Sequence, residues 1–300
     1  MPQSFAERVN AAIAASGCCG VVNIDPVFDR LPKSLRTESS DPVPALIQFG
    51  EGVVDAVAGV APIVKFNIAY FERYGAPGLD GYRHLIAYAH QRRLLVIGDV
   101  KRGDVGHTAE QYAGACFSNG ADDEIADAVT INGYFGWDGV KPFVDQMRSK
   151  GRGVFVLVRT SNASAATIQD LTLADGRKVH EAVGSLVNAW SIETSGGGAY
   201  GDVGAVVATR DRADATRLRQ VMPNTIFLVP GYGAQGGAAE DFRPYLDANG
   251  LGALIAAGRS VIYAYGEPAR QSRFGDDWKS AVGAACREFA EDLARIMPRK

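Results

Sequence analysis

The residues best equipped for chemistry lie in one stretch, VIGDVKRGDVGHTAEQYA, residues 96–113. Asp99, Lys101 and Asp104 place a carboxylate, an ammonium and a second carboxylate close together, and Thr108 follows where a helix is expected to open. Residues i and i+2 of a strand share a face, so Asp99 and Lys101 are expected to point the same way. Two acids beside Lys101 favour its charged form. Such a lysine can donate a proton, and it is a poor Schiff-base nucleophile. Read from these residues alone, a salt-bridge network that orders a loop fits equally well. A second group of candidates is rich in glycine: PGYGAQGG at 230–237, and Gly258-Arg259-Ser260. Glycine lets backbone N–H groups come close to an anion, and Arg259 can add charge-assisted bonds to phosphate oxygens. Either segment alone also reads as a plain turn.

These groups need elements to hold them. Runs rich in Val, Ile, Leu and Phe occur at 19–25, 63–69, 94–101, 128–133, 153–161, 205–209, 226–231 and 253–258. Several are apolar on consecutive residues, which suits strands covered on both faces, as in a parallel sheet. Helix-like segments lie between them at 44–60, 81–92, 108–119 and 212–221, with a helical tail at 277–296. Eight strands alternating with helices predict a (β/α)8 TIM barrel, in which chemistry sits at the carboxyl ends of the strands and phosphate commonly binds after strands seven and eight. The two glycine segments follow those two strands. Gly196-Gly197-Gly198 precedes the sixth strand and is expected on the opposite face. The competing layout, an open doubly wound sheet, lacks its glycine fingerprint, because Asp25 is followed by PVFDRLP. Residues 1–300 are expected to form a single domain, the barrel plus extra N- and C-terminal helices.

Composition narrows the function. The 300 residues are 47% hydrophobic and 22% charged with a net charge of −3, ordinary for a globular protein, and this excludes a disordered chain. The mild acidity gives no electrostatic case for nucleic-acid binding. No apolar run approaches the ~18 residues of a membrane span, and the N-terminus lacks the basic region and apolar core of a signal peptide. Four cysteines, two of them adjacent at Cys18 and Cys19, form no metal-ligand or disulfide pattern. They read as buried thiols of a reducing cytoplasm. His84, His90, His107 and His180 show no metal spacing, and Trp137, Trp190 and Trp278 read as packing residues.

The spacing Asp-x-Lys-x-x-Asp-Val-Gly-x-Thr from Asp99 to Thr108 resembles the signature of the orotidine 5'-phosphate decarboxylase family, in particular its longer bacterial branch. Further segments resemble that family in order: Asn23-Ile24-Asp25-Pro26, Val64-Lys65-Phe66-Asn67, Thr130-Ile131-Asn132-Gly133, Arg159-Thr160-Ser161-Asn162, 230–237 and Gly258-Arg259-Ser260. Asn23, Ala163 and Val207 depart from the usual pattern, and none matches a catalytic position. The resemblance implies decarboxylation of orotidine 5'-monophosphate to UMP with no metal or organic cofactor. It makes Lys101 the proton donor to C6, Asp99 the acid near the departing carboxylate, and Asp104 an acid contributed across a homodimer interface, with Thr108 entering the same neighbouring site. Asp25 and Lys65 match ribose contacts, Ser161 the pyrimidine edge, and Gln235, Gly258 and Arg259 the phosphate site. Alternatives are a magnesium-dependent phosphosugar decarboxylase or aldolase of the same superfamily, and a non-catalytic nucleotide-binding barrel.

Overall fold

The apolar runs are too short for buried helices and long enough to cross one barrel wall, and they form strands. The computed structural model describes residues 2–36, 41–209, 211–233 and 236–298. Among these residues eight strands occur: β1 (Gly20–Ile24), β2 (Ile63–Asn67), β3 (Leu95–Arg102), β4 (Ala128–Ile131), β5 (Gly153–Arg159), β6 (Val203–Val207), β7 (Phe227–Tyr232) and β8 (Ala253–Ala257). They close in sequence order into a parallel barrel, with β8 returning to pair with β1 through Gly20 opposite Ile255. The fold is the expected (β/α)8 barrel.

The outer layer contains α1 (Phe5–Ser16), α2 (Pro42–Val57), α3 (Gly75–Gln91), α4 (Gly106–Phe117), α5 (Trp137–Arg148), α6 (Val179–Thr194), α7 (Arg212–Val221) and α8 (Trp278–Ile296). Helices α2 to α7 follow β1 to β6 in turn. After β7 a 3-10 segment, Ala239–Tyr245 with Pro244 inside it, takes the place of a helix, since proline removes an amide donor. Phe66, Phe155, Phe227, Ile97 and Ile255 are fully buried on the strands. Phe49 of α2 stacks on Trp278 of α8 at 5.2 Å and on Tyr263 at 5.9 Å. Trp137 and Trp190 pack together at 5.3 Å. Gly196-Gly197-Gly198 lies between α6 and β6, on the side away from the strand ends that carry the charged residues. No helix among the described residues is long and apolar enough to cross a membrane.

Helix α1 is fastened at the amino-terminal ends of the strands. Ser4 and Glu7 form a reciprocal capping box at its start. The Ala6 amide donates to Asp202 Oδ1 at 2.9 Å, and Arg8 pairs with Asp127 at 2.5 Å and donates to the Gly151 carbonyl at 2.7 Å. Asp127 Oδ2 also accepts from the Val96 amide at 2.7 Å. These bonds tie α1 to the connections entering β4, β5 and β6.

Three helices start earlier than expected. α2 begins at Pro42 rather than at 44. α3 begins at Gly75 rather than near 81, in a stretch whose glycines and Pro77 argue against a helix. Packing overrides that propensity: a Cβ on Gly78 would sit 2.0 Å from the Phe71 carbonyl oxygen. α4 begins at Gly106, so Thr108 lies inside its first turn.

Candidate active site

The carboxyl end of β3 is irregular. Gly98 pairs with Val129 of β4, and the next register pair is Arg102 with Ile131. Asp99, Val100 and Lys101 therefore face the single residue Thr130 across a bulge. Lys101 takes φ +44°, a left-handed conformation uncommon for any residue but glycine. Simple alternation gave the right neighbours for a different reason: the bulge re-aims the chain, and Lys101 Nζ folds back onto Asp99 Oδ1 at 2.5 Å. On the other side Lys65 Nζ of β2 contacts Asp99 Oδ2 at 2.6 Å, because Asn67 of β2 lies opposite Asp99 in register. Thr130 Oγ1 donates to Asp99 Oδ1 at 2.7 Å.

This Lys65–Asp99–Lys101 chain has a buried end and an open end. The Lys65 and Asp99 side chains are buried, whereas that of Lys101 is 49% exposed. Burial alone would raise the Asp99 carboxyl, but the two ammoniums outweigh it and hold the group far below the usual carboxylate range. Burial likewise works against the Lys65 charge, and Asp99 and Asp25 outweigh it, so Lys65 titrates above an ordinary lysine. At neutral pH Asp99 is an anion and Lys65 a cation.

Asp25 follows β1. Its carboxyl is pushed up by burial, with Lys65 pulling the other way. Its Oδ1 is buried without a hydrogen-bond partner in the protein, as are Asn23 Oδ1 and Ser260 Oγ. A buried acceptor left unpaired is costly, so these atoms are suited to meeting a ligand. Asn23, Asp25, Arg30, Gly231, Gly258 and Arg259 line a cleft of about 160 Å³. Gly233, at φ +67°, lets the loop after β7 approach the loop after β8: a Cβ there would come within 2.7 Å of Ser260 Oγ. A larger cleft of about 560 Å³, lined by Ser161, Thr160, Thr209 and Phe242, shares Pro230 and Gly231 with the first. Lys65, Asp99 and Lys101 line neither cleft.

The structure thus gathers Asp25, Lys65, Asp99 and Lys101 into one electrostatic cluster and sets Gly258 and Arg259 in a cleft with Asp25. Ser161 stands exposed beyond β5, on the adjoining cleft. Asp104 and Thr108 are set apart. Asp104 Oδ1 accepts from the Val105 amide at 2.8 Å and, among the described residues, makes no ion pair with Lys101, while Thr108 is exposed on α4. Gln235 lies outside the described residues. Among those described, no group of three or more His, Cys, Asp or Glu side chains converges as a metal site would require. Sequence reasoning assigned no role to four contributors. Thr130 bonds Asp99, and Ser260 presents an unpaired hydroxyl. Arg30 lies 3.9 Å over the Tyr263 ring. Tyr263 donates to the Asp25 carbonyl at 3.0 Å and accepts from the Val27 amide at 2.8 Å, fixing the loop after β1. The polar partner inside an apolar strand run was the available signal for Thr130.

Charged groups gathered at the carboxyl ends of the strands of a closed parallel barrel mark an enzyme of the (β/α)8-barrel class. Comparison with known proteins narrows this. Residues 51–273 match the model of the orotidine 5'-phosphate decarboxylase / HUMPS family, and the chain belongs to that family. It is 38% identical to the orotidine 5'-phosphate decarboxylase of Rhodopirellula baltica, covering 97% of this chain and 99% of the relative. It is 36% identical to that of Clostridium perfringens over 81% and 84% of the two chains. The structure of Leishmania donovani OMP decarboxylase superposes with a TM-score of 0.76 at 27% identity, covering 98% of each chain.

Proposed function

We propose that this protein decarboxylates orotidine 5'-monophosphate to UMP and CO2, the closing step of UMP biosynthesis, with Lys101 delivering the proton to C6. The observation that carries the assignment is the Lys65–Asp99–Lys101 ion chain with its open end at Lys101. Cleavage of the bond between C6 and the carboxylate leaves its electron pair on C6. An ammonium already fixed there stabilises the developing charge without reorganisation, then gives up a proton to C6 and regains one from solvent. Asp99 holds Lys101 in place and, as an anion, repels the substrate carboxylate that must leave.

The remaining roles follow the same reading. Asp25, with its unpaired oxygen, accepts from a ribose hydroxyl, and Lys65 donates to one. Ser161 reads the pyrimidine edge. Arg259 binds the phosphate with backbone around Gly258, and Gln235 joins them. Phosphate binding is remote from C6, so its energy can go into orienting the reacting carbon. Every step uses a group of the protein, and no cofactor is called for. We also infer a homodimer in which the partner's Asp104 and the partner's Thr108 complete each site. Exposed Val105, Tyr134 and Phe135 lie on the loops beside them, an apolar surface suited to burial against a second copy. We treat the chain as one domain and place it in the cytoplasm, where its four unpaired cysteines stay reduced.

The test is consumption of orotidine 5'-monophosphate, followed by its absorbance, with and without prolonged chelation. Full activity after chelation is expected. Activity lost to EDTA and restored by Mg²⁺ would favour the magnesium-dependent relatives, and no turnover at all would leave only a binding role.

A further inference from the structure

We infer that Thr130 is a positioning residue for the proton donor, fixing Lys101 at both its backbone and its ammonium through one oxygen atom. The inference deepens the decarboxylase reading and rests on it for its kinetic consequence.

Thr130 is 1% exposed on β4, and both functions of its hydroxyl are used. It donates to Asp99 Oδ1 at 2.7 Å and accepts from the Lys101 amide at 3.1 Å. Neither bond belongs to a regular parallel ladder. The bulge between Gly98 and Arg102 takes the Lys101 amide away from backbone acceptors on β4, and pairing resumes only where the Asn132 amide donates to the Arg102 carbonyl at 2.7 Å. An amide turned out of its ladder needs another acceptor, and Thr130 supplies it. The same bond braces Lys101 in its left-handed conformation of φ +44°.

The second bond orients the carboxylate. Asp99 Oδ1 receives both Thr130 and Lys101 Nζ, while Oδ2 receives Lys65 Nζ. Thr130 opposes rotation of that carboxylate and so keeps one oxygen facing each lysine. Thr130 therefore locates the Cα of Lys101 directly and its Nζ through Asp99. The substrate phosphate, held on this reading by the loops after β7 and β8, does not feel this oxygen. Proton delivery does, because a shift of about 1 Å in a reacting group can cost ~100-fold in rate.

The experiment compares Thr130→Val, which keeps the branched shape and removes the oxygen, with Thr130→Ser, which keeps the oxygen. Thr130→Val is expected to lower kcat by about 10- to 100-fold while KM, UMP affinity by calorimetry and the melting temperature stay near wild type. Thr130→Ser is expected to restore most of kcat. A Thr130→Val enzyme with wild-type kcat overturns the inference. So does a Ser variant as slow as the Val variant, or a loss of UMP affinity matching the loss of kcat. Should Thr130→Val not fold, Thr130→Ala against Thr130→Ser makes the same comparison. A crystal structure of the folded variant lacking the hydroxyl adds a readout free of activity: Asp99 turned or Lys101 moved supports the role, and both unchanged overturns it. Inactive wild-type protein would overturn the decarboxylase reading instead, with the variant's structure still deciding the role of Thr130.

Discussion

In the proposed mechanism, removing the ammonium of Lys101 takes away both the proton and the charge nearest the reacting carbon. Lys101→Ala is expected to fold and to lose at least ~10³-fold in kcat, the combined scale of a general acid and an electrostatic stabiliser. Retention of a tenth of the wild-type rate would place the proton source elsewhere. The role proposed for Arg259 is in binding instead. Arg259→Ala should weaken orotidine 5'-monophosphate by about 2–4 kcal/mol, as for a lost charge-assisted pair, and leave turnover of unphosphorylated orotidine nearly unchanged. Equal losses on both substrates would speak against phosphate as its partner. The Asp99–Lys101 pair and the place of Arg259 after β8 were legible because they survive in linear order: charge spacing at a strand end, and an arginine in a glycine turn. Thr130 and Tyr263 were not. The first depends on a bulge that alternation does not predict. The second reaches Val27 across 236 positions of chain.

Helix α3 shows how an element is pinned by charge. Both ring nitrogens of His90 meet acceptors, Nδ1 the Asp123 carbonyl at 2.6 Å and Nε2 the Asp127 carboxylate at 3.0 Å. Only the doubly protonated ring donates to both. Burial opposes that charge, but the Asp127 carboxylate and the Asp123 carbonyl outweigh it and raise the imidazole above its ordinary 6.5, even with Arg152 nearby. A value raised by folding means that the stabilisation is fully present below 6.5 and fades as pH climbs through the raised value. His90→Gln is expected to be less stable than wild type by about 1–3 kcal/mol on the acidic side, the scale of a bond to a charged group, with the gap narrowing on the alkaline side. Asp202, which burial raises to about 6, titrates in both proteins and cancels from the difference. Denaturant melts across the pH range check this, and a gap independent of pH would show that the charge contributes nothing. All eight strands could be read from their apolar runs. The start of α3 could not, since Gly75, Gly78 and Gly81 are poor helix formers; Gly78 and Gly81 serve close contact, and Gly75 takes φ +66°.

For the assembled molecule, the proposed shared site makes a sharp prediction. Lys101→Ala and Asp104→Ala should each be nearly inactive alone. In a mixed dimer one site collects both defects, while the other combines intact Lys101 from one chain with intact Asp104 from its partner. With random exchange about half the dimers are mixed and one of their two sites works, so roughly a quarter of wild-type activity should return. Exchange demonstrated by mass spectrometry without recovered activity would assign Asp104 to its own chain's site.

The pairing of β1 with β8, and the bonds from α1 to Asp127 and Asp202, also set an order of events during synthesis. Gly20–Ile24 leaves the ribosome early, yet one of its two edges has no partner until Ala253–Ala257 has been made. Ala6 and Arg8 wait across 196 and 119 positions for their acceptors. Contacts this distant are slow to form. The nascent chain therefore carries an open, adhesive strand edge for most of its translation, and such an edge is a template for pairing with another chain until the last strand arrives.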